Sequence, residues 1–267
     1  MGNLISLYGL GVDQILSVRL ILSTGSNITC SADSHADLFW GLRGAGHNFG
    51  IVSSLTVKAY PQVNGGVHWT GTLGFIGTRE TLLKITEAIK TMGVGEGMGV
   101  TMIWAKPPPD FAVRLSSFLS SPSPYQENHH ADTWYFIQPT IILNLWYAGP
   151  SSAAEKAYAP LLSLSPLFSQ SAPTPYNHLN DANDMISAKG LRKPVYSLGL
   201  PSSQLSNLSS VWAHWDDFSS TEGAGQAVVL TEMYGFEKAR TVEESSTAFA
   251  WRSAGVFVCV PLLIPTK

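Results

Sequence analysis

The chain has 267 residues, 45% of them hydrophobic and 13% charged, with a formal net charge of −3. This composition can bury a sizeable core, which excludes intrinsic disorder. Without a Lys/Arg run it lacks the basic footprint of a nucleic-acid binder, and its two cysteines, Cys30 and Cys259, are too few for a disulfide framework or a zinc cluster.

The first nine residues have neither a basic start nor a long apolar core, so they do not read as a secretory signal. Met1-Gly-Asn-Leu-Ile-Ser6 fits the loose N-myristoylation pattern, yet reads better as interior sequence. Residues 15–22 alternate, with Leu16, Val18, Leu20 and Leu22 on one face, and predict a strand. A turn at 23–27 and a return at 28–30 complete a hairpin. Ser34-His-Ala-Asp37 opens a short helix whose buried face is Leu38, Phe39 and Leu42. Gly41, Gly44, Gly46 and Gly50 then fall within ten residues. At that density the backbone can take positive φ and a flat or anionic ligand can approach it closely. Residues 55–60 alternate as a strand that stops at Pro61.

Beyond Pro61 a strand at 67–76 precedes an amphipathic helix at 79–92, with Leu82, Ile85, Ile89 and Met92 opposite Lys84, Glu87 and Lys90. Another strand covers 99–105. Residues 107–132, rich in Pro, Ser and His, read as a surface excursion. A long aromatic and β-branched strand spans 134–147, interrupted near Pro139. Ser152-Ala-Ala-Glu155 reads as a capping box before a helix carrying Tyr158, Leu161 and Leu162. Leu205, Leu208, Trp212 and Trp215 form a further helical stripe, and 227–234 is a final strand. The apolar run at 256–264 is too short to span a bilayer and contains Pro261. Strands and helices in this succession call for an antiparallel sheet covered on one face by helices, an α+β fold. The break at 61–66 sets a boundary between residues 1–61 and 62–267.

Three blocks carry a family resemblance. Tyr8-Gly-Leu-Gly-Val-Asp-Gln-Ile-Leu-Ser-Val18 is similar to a segment entering a strand after a flavin-binding loop. Asp37-Leu-Phe-Trp-Gly-Leu-Arg-Gly-Ala-Gly-His-Asn-Phe-Gly-Ile-Val-Ser53 is the most specific block. Glu232-Met-Tyr-Gly-Phe236, with Ser246-Thr-Ala-Phe-Ala-Trp-Arg252, looks like a late block of a substrate domain. Together they resemble the berberine-bridge-type FAD-linked oxidoreductases of the vanillyl-alcohol oxidase superfamily. The resemblance implies the C-terminal part of a PCMH-type FAD-binding domain in residues 1–61. It implies an antiparallel-sheet substrate domain in 62–267, incomplete at its C-terminus. The family's pyrophosphate loop and covalent flavin His have no counterpart here, and residues 255–267 depart from its pattern. The expectation is therefore a chain truncated at both ends. Relatives of this type are often secreted, and Asn27 and Asn207 stand in glycosylation triplets.

By this resemblance the cofactor is FAD, the substrate a small secondary metabolite or carbohydrate, and molecular oxygen the final acceptor. Gly44, Gly46, Asn48, Phe49, Gly50, Ile51 and Val52 are the candidate flavin contacts, with Ile51 and Val52 as an apolar wall. A tight helix–strand turn of purely structural use is the alternative. The spacing Gly44-x-Gly46-x-x-x-Gly50 after a helix is not a Rossmann fingerprint. Gly11, with Gly9 and Asp13, is a further cofactor candidate that a turn before a strand also explains. Glu232 and Tyr234 share a strand face. Glu232 is the candidate base and Tyr234 its orienting hydroxyl; the alternative leaves Glu232 in solvent and Tyr234 packed. His47 reads as a turn residue, and His129-His130 as solvated, with no metal expected. Trp134, Tyr135, Trp146, Tyr147, Trp212 and Trp215 could line a pocket but are more simply core. No Gly-x-Ser-x-Gly elbow or P-loop is present. Two readings follow: a FAD-dependent oxidoreductase, or a non-catalytic relative that keeps the substrate domain without holding FAD stably. Strands beginning at 15 and 55 would lack their usual neighbours, exposing edges that favour self-association.

Overall fold

A computed structural model describes residues 2–106, 139–181, 191–192, 194–222, 224–225, 227–261 and 264–265. After helix α1 (Ile5–Tyr8), three strands form a small antiparallel sheet: β1 (Ile15–Ile21), β2 (Asn27–Ser31) and β3 (Ile51–Val57), in the order β2-β1-β3. Helix α2 (Ala36–Ala45) covers part of one face, packing Phe39 and Leu42 on Val18, Leu20 and Cys30.

A seven-stranded antiparallel sheet follows. Its strands are β4 (Val67–Ile76), β5 (Met98–Ala105), β6 (Thr140–Tyr147), β7 (Phe168–Pro175), β9 (Val195–Leu200), β10 (Val229–Tyr234) and β11 (Val256–Pro261), in the order β7-β4-β6-β5-β10-β11-β9. A two-residue pair, β8 (Leu191–Arg192) with β12 (Ile264–Pro265), lies apart from it. Helix α3 (Arg79–Met92) starts where Thr78 caps the Thr81 amide and ends at Gly93, whose φ is 67°. With α4 (Ser151–Ala157), α5 (Ala159–Leu162) and α6 (Leu208–Ser219) it covers one face. The core lies between, where Leu82, Ile85, Ile89, Leu161, Leu208 and Trp212 meet the inward residues of β4, β5, β6 and β10.

The strand at 67–76 and the helix at 79–92 take the expected bounds. Four expectations change. Leu16 is 47% exposed rather than in line with Val18 and Leu20, because the β1–β3 register shifts between Ile15 and Ser17 and turns it outward. Strand β1 is paired on both sides, so the edges of this sheet are β2 and β3, and all seven residues of β3 are exposed. No capping box forms at Ser152: the helix starts at Ser151 behind Pro150, with no side-chain cap. Strands β7, β9 and β11 were not legible in the sequence; β7 carries Pro173 and Pro175, tolerated because it is an edge strand. The 107–132 excursion, the start of the 134–147 strand, His129, His130, Trp134 and Tyr135 lie largely or wholly outside the described residues.

One buried hydroxyl marks the middle of the sheet from beneath. Tyr158 Oη accepts from the Gly99 amide at 3.1 Å and lies 2.6 Å from the Trp146 carbonyl and 3.0 Å from that of Gly99. Burial pushes this phenol's pKa well above its ordinary value, so it stays a neutral donor. We expect Tyr158→Phe, which leaves these buried backbone groups short of a partner, to cost about 1–3 kcal/mol. Thermal unfolding checks this; an unchanged melting temperature would rule the seam out as a stabilising contact.

Candidate functional site

Alternation along the strands sorts the large sheet into two faces. Met98, Val100, Met102 and Trp104 of β5, with Val229 and Met233 of β10, enter the helix-covered core. Their neighbours in sequence turn to the other face, which α3, α4, α5 and α6 leave uncovered. Register then aligns that face in rows. The central row runs Gln170–Thr72–Asn144–Thr101–Glu232 across five strands. On one side lies an apolar row of Phe168, Ile142, Ile103 and Leu230, the Phe168 ring occupying the space a side chain at Gly74 would need. On the other side Thr70, Trp146, Gly99 and Tyr234 are neighbours. Glu232 is the single charged side chain in these three rows.

Glu232 and Tyr234 are brought together: the Tyr234 hydroxyl donates to Glu232 Oε1 at 3.1 Å. The Thr101 side chain, one strand over, counters part of the upward push on the Tyr234 phenol. Burial first, then the charge and hydrogen bond of Glu232, push the Tyr234 phenol far above its usual pKa, so it remains protonated. Tyr234 is only 6% exposed, enclosed by Ile5, Leu10, Phe236 and Phe257, whereas Glu232 is part-exposed. The hydroxyl thus reaches Glu232 from the packed side. Cys259 sits close enough for the Glu232 charge to add to burial in raising its thiol pKa.

The glycine loop docks on the same region. Helix α2 kinks at Arg43 and Gly44, where Gly44 takes φ 155°. A Cβ at Gly44 would collide with the backbone of Ala248 and Phe249. Trp40 Nε1 donates to Ser245 O (2.7 Å) and Arg43 Nη2 to Ser246 O (2.9 Å), fixing the approach. Phe249 packs on the cluster that holds Tyr234. Gly50, at φ 148°, lies against the Ile21 carbonyl. Gly44 and Gly50 thus have structural reasons of their own. Gly11 and Gly46 have none: φ is not positive at either, and added Cβ atoms would meet nothing closer than Leu42 at 3.9 Å from Gly46. Asn48 is exposed and donates to Ala45 O at 3.2 Å. Phe49 covers Gly41 with part of its ring, while Ile51 (70% exposed) and Val52 stand open on β3. An open glycine main chain beside exposed apolar side chains fits the flat, apolar ring of a flavin.

Gly9 and Asp13 belong to the architecture. Gly9 closes α1 at φ 84°. Asp13 forms a two-pronged ion pair with Arg252, at 2.6 and 2.8 Å, with side-chain exposures of 7% and 3%. Arg252 also donates to Thr247 Oγ1 and to the Ala239 carbonyl. Sequence reasoning missed Gln170, Thr72, Asn144 and Thr101, which only cross-strand register brings together. Counting every second residue through 99–105 and 140–147 would have placed Thr101 and Asn144 away from the core.

No family model matches the chain. It is 28% identical over 265 residues to the "FAD-linked oxidoreductase alt4" of Alternaria solani, covering 95% of this chain and 50% of that protein. Among solved structures, a Physcomitrella patens BBE-like 1 variant superposes with a TM-score of 0.70 at 14% identity, over 98% of this chain and 52% of that one. A carbohydrate oxidase from Microdochium nivale does so with 0.65 at 17% identity, over 100% and 53%. At these identities the structures speak for the fold. The curated relatives it matches are FAD-linked oxidoreductases, and its fold is that of the berberine-bridge-like, PCMH-type oxidases. It spans about half the length of the curated relatives it matches.

The Arg252–Asp13 pair gives a direct test. Arg252→Met leaves a buried carboxylate unpaired and should destabilise the chain by about 3–5 kcal/mol, while Asp13→Leu in the same chain should restore much of the loss. Urea unfolding of both variants measures it; equal stability of the Arg252→Met variant and the parent would refute the assignment.

Proposed function

We propose that the protein is a FAD-dependent oxidoreductase that takes a hydride from a small organic substrate, a secondary metabolite or a carbohydrate, with molecular oxygen as final acceptor. One observation carries this: the Glu232–Tyr234 pair stands on the face of the sheet opposite α3–α6, in the region on which the glycine loop docks. The homologues' names and the neighbours' fold support it.

In this reading Gly11, Gly46, Asn48, Phe49, Ile51 and Val52 hold the FAD, while Gly44 and Gly50 shape the loop that presents them. When bound, the flavin supplies two-electron acceptance from a substrate C–H bond. Glu232 draws the proton from the substrate's hydroxyl or amine, as general bases do. Tyr234 holds Oε1, which leaves Oε2 to receive that proton. The buried cluster around the Tyr234 ring keeps its hydroxyl from rotating into solvent.

A second reading, a relative that keeps the substrate face and does not hold FAD stably, draws on the internal packing that explains Gly44 and Gly50. Visible absorption of the chain after incubation with FAD and gel filtration separates the two. We expect retained flavin bands, and acid should release the colour. A colourless protein favours the second reading. Gly46→Ala should keep the parent's melting temperature and lose flavin, whereas Gly44→Ala should lower the melting temperature first. In the flavin-loaded chain, Glu232→Gln should cut turnover by about 10²–10⁴-fold with the flavin spectrum unchanged; parental turnover would remove Glu232 as the base. We further propose self-association through the exposed strand β3, which monodisperse, monomeric light scattering would refute.

A further inference from the structure

Where the helix-side core meets the cluster around Tyr234, the chain leaves a cavity of about 290 Å³ that takes no part in the chemistry above. Ligand cavities begin at roughly 300 Å³, so this one suits a molecule of amino-acid size rather than a large one. Its floor is apolar and buried: Ile89, Leu205, Met233, Phe236 and Val256. Met233 and Val256 are paired across β10 and β11, so the floor backs onto the strand that carries Glu232, from the side opposite the open face. The rim is polar and exposed. Ser202 and Ser203 open a 3₁₀ helix (Ser202–Asn207), Lys90 lies in the last turn of α3, and Glu237 and Arg240 stand at the two ends of a short helix, α7 (Glu237–Arg240).

Two charges on this rim have no counter-ion among the described residues. The Arg240 side chain makes one hydrogen bond, from Nη2 to the Ala254 carbonyl at 3.2 Å, and no ion pair. The Glu237 carboxylate has neither a hydrogen bond nor an ion pair. They are three residues apart on one helical turn, a spacing at which opposite charges usually meet, yet they do not pair. Lys90 has only Glu87, at 3.5 Å and exposed. An apolar ligand would leave these charges to water. A simple anion would set its charge against Glu237, and a simple cation would set its charge against Arg240 and Lys90. A zwitterion answers both signs.

We propose that this cavity binds an α-amino acid with an apolar side chain. Its carboxylate meets Arg240, with Lys90 and Ser203 beside it. Its ammonium meets Glu237, near the negative end of the α3 dipole. Its side chain lies on Leu205, Met233 and Val256. The site is separate from the open face, and the proposal stands whether or not the chain holds FAD.

Isothermal titration of the full chain with L-phenylalanine and L-leucine tests this, with glycine, 3-phenylpropanoate and 2-phenylethylamine in parallel. At least one of the two apolar amino acids should bind saturably in the millimolar range or below. Glycine, which lacks the apolar body, and the two analogues, each of which lacks one charge, should bind about tenfold more weakly, as should the amino acid to Glu237→Gln and to Arg240→Met. Arg240→Lys, which keeps the charge, should recover part of the loss. Glu237 is exposed and unbonded, so Glu237→Gln gives a clean reading should Arg240→Met lower the melting temperature. Absence of saturable binding by both amino acids would overturn the proposal. So would binding of glycine or of either analogue as tight as that of the amino acid, or amino-acid binding that Glu237→Gln leaves unchanged.

Discussion

The buried ion pair between Asp13 and Arg252 is the contact on which the arrangement of the two sheets turns. Asp13 lies just ahead of β1, and Arg252 just ahead of β11. Bringing two charges out of water is costly, and only a well-formed pair with additional hydrogen bonds offsets it. Here the guanidinium meets both carboxylate oxygens and two further oxygens from residues 239 and 247. The geometry leaves little freedom for segment 245–249, and that segment is where Trp40, Arg43 and Gly44 come to rest. The position of the glycine loop relative to Tyr234 therefore descends from a pair of charges that touches neither.

The second constraint is division of labour within one strand. In β10, Thr231 and Met233 belong to the helix side, and Glu232 and Tyr234 to the open side. Tyr234 is nonetheless nearly buried, because α1 and the chain around Leu10 fold over that end of the face. A hydroxyl held in this way has its direction set by packing rather than by solvent, so Glu232 meets one geometry instead of an average of rotamers. On the core side, Tyr158 binds the β5–β6 seam at Gly99, the residue paired with Tyr234.

Much of the scaffold was legible. The strand at 67–76 and the helix at 79–92 announce themselves because period and burial agree there and Thr78 and Gly93 punctuate the helix. The stripe of Leu205, Leu208, Trp212 and Trp215 is buried as its spacing implies. What escaped has physical causes. A register shift turned Leu16 around, which no alternation rule detects from one strand. Prolines in β7 hid a strand that edge position makes tolerable. Glu232 and Tyr234 were visible as a pair because they are two residues apart, but Thr72, Asn144 and Gln170 come from strands far apart in sequence, and only pairing makes them a row. Glycine density identified the loop while concealing that its glycines differ: Gly44 and Gly50 answer to the chain's own backbone, Gly46 and Gly11 to open space.

The rows on the open face also bear on how such a protein changes over generations. Asn144 and Thr101 each sit between two core residues on their own strand, so the open face and the packing alternate by parity along the same segments. A substitution at Asn144 or Thr101 alters what the surface recognises without opening a void beneath it, while one at Leu143 or Met102 does the reverse. A lineage could therefore exchange one ligand for another by editing alternate positions and inherit its interior intact.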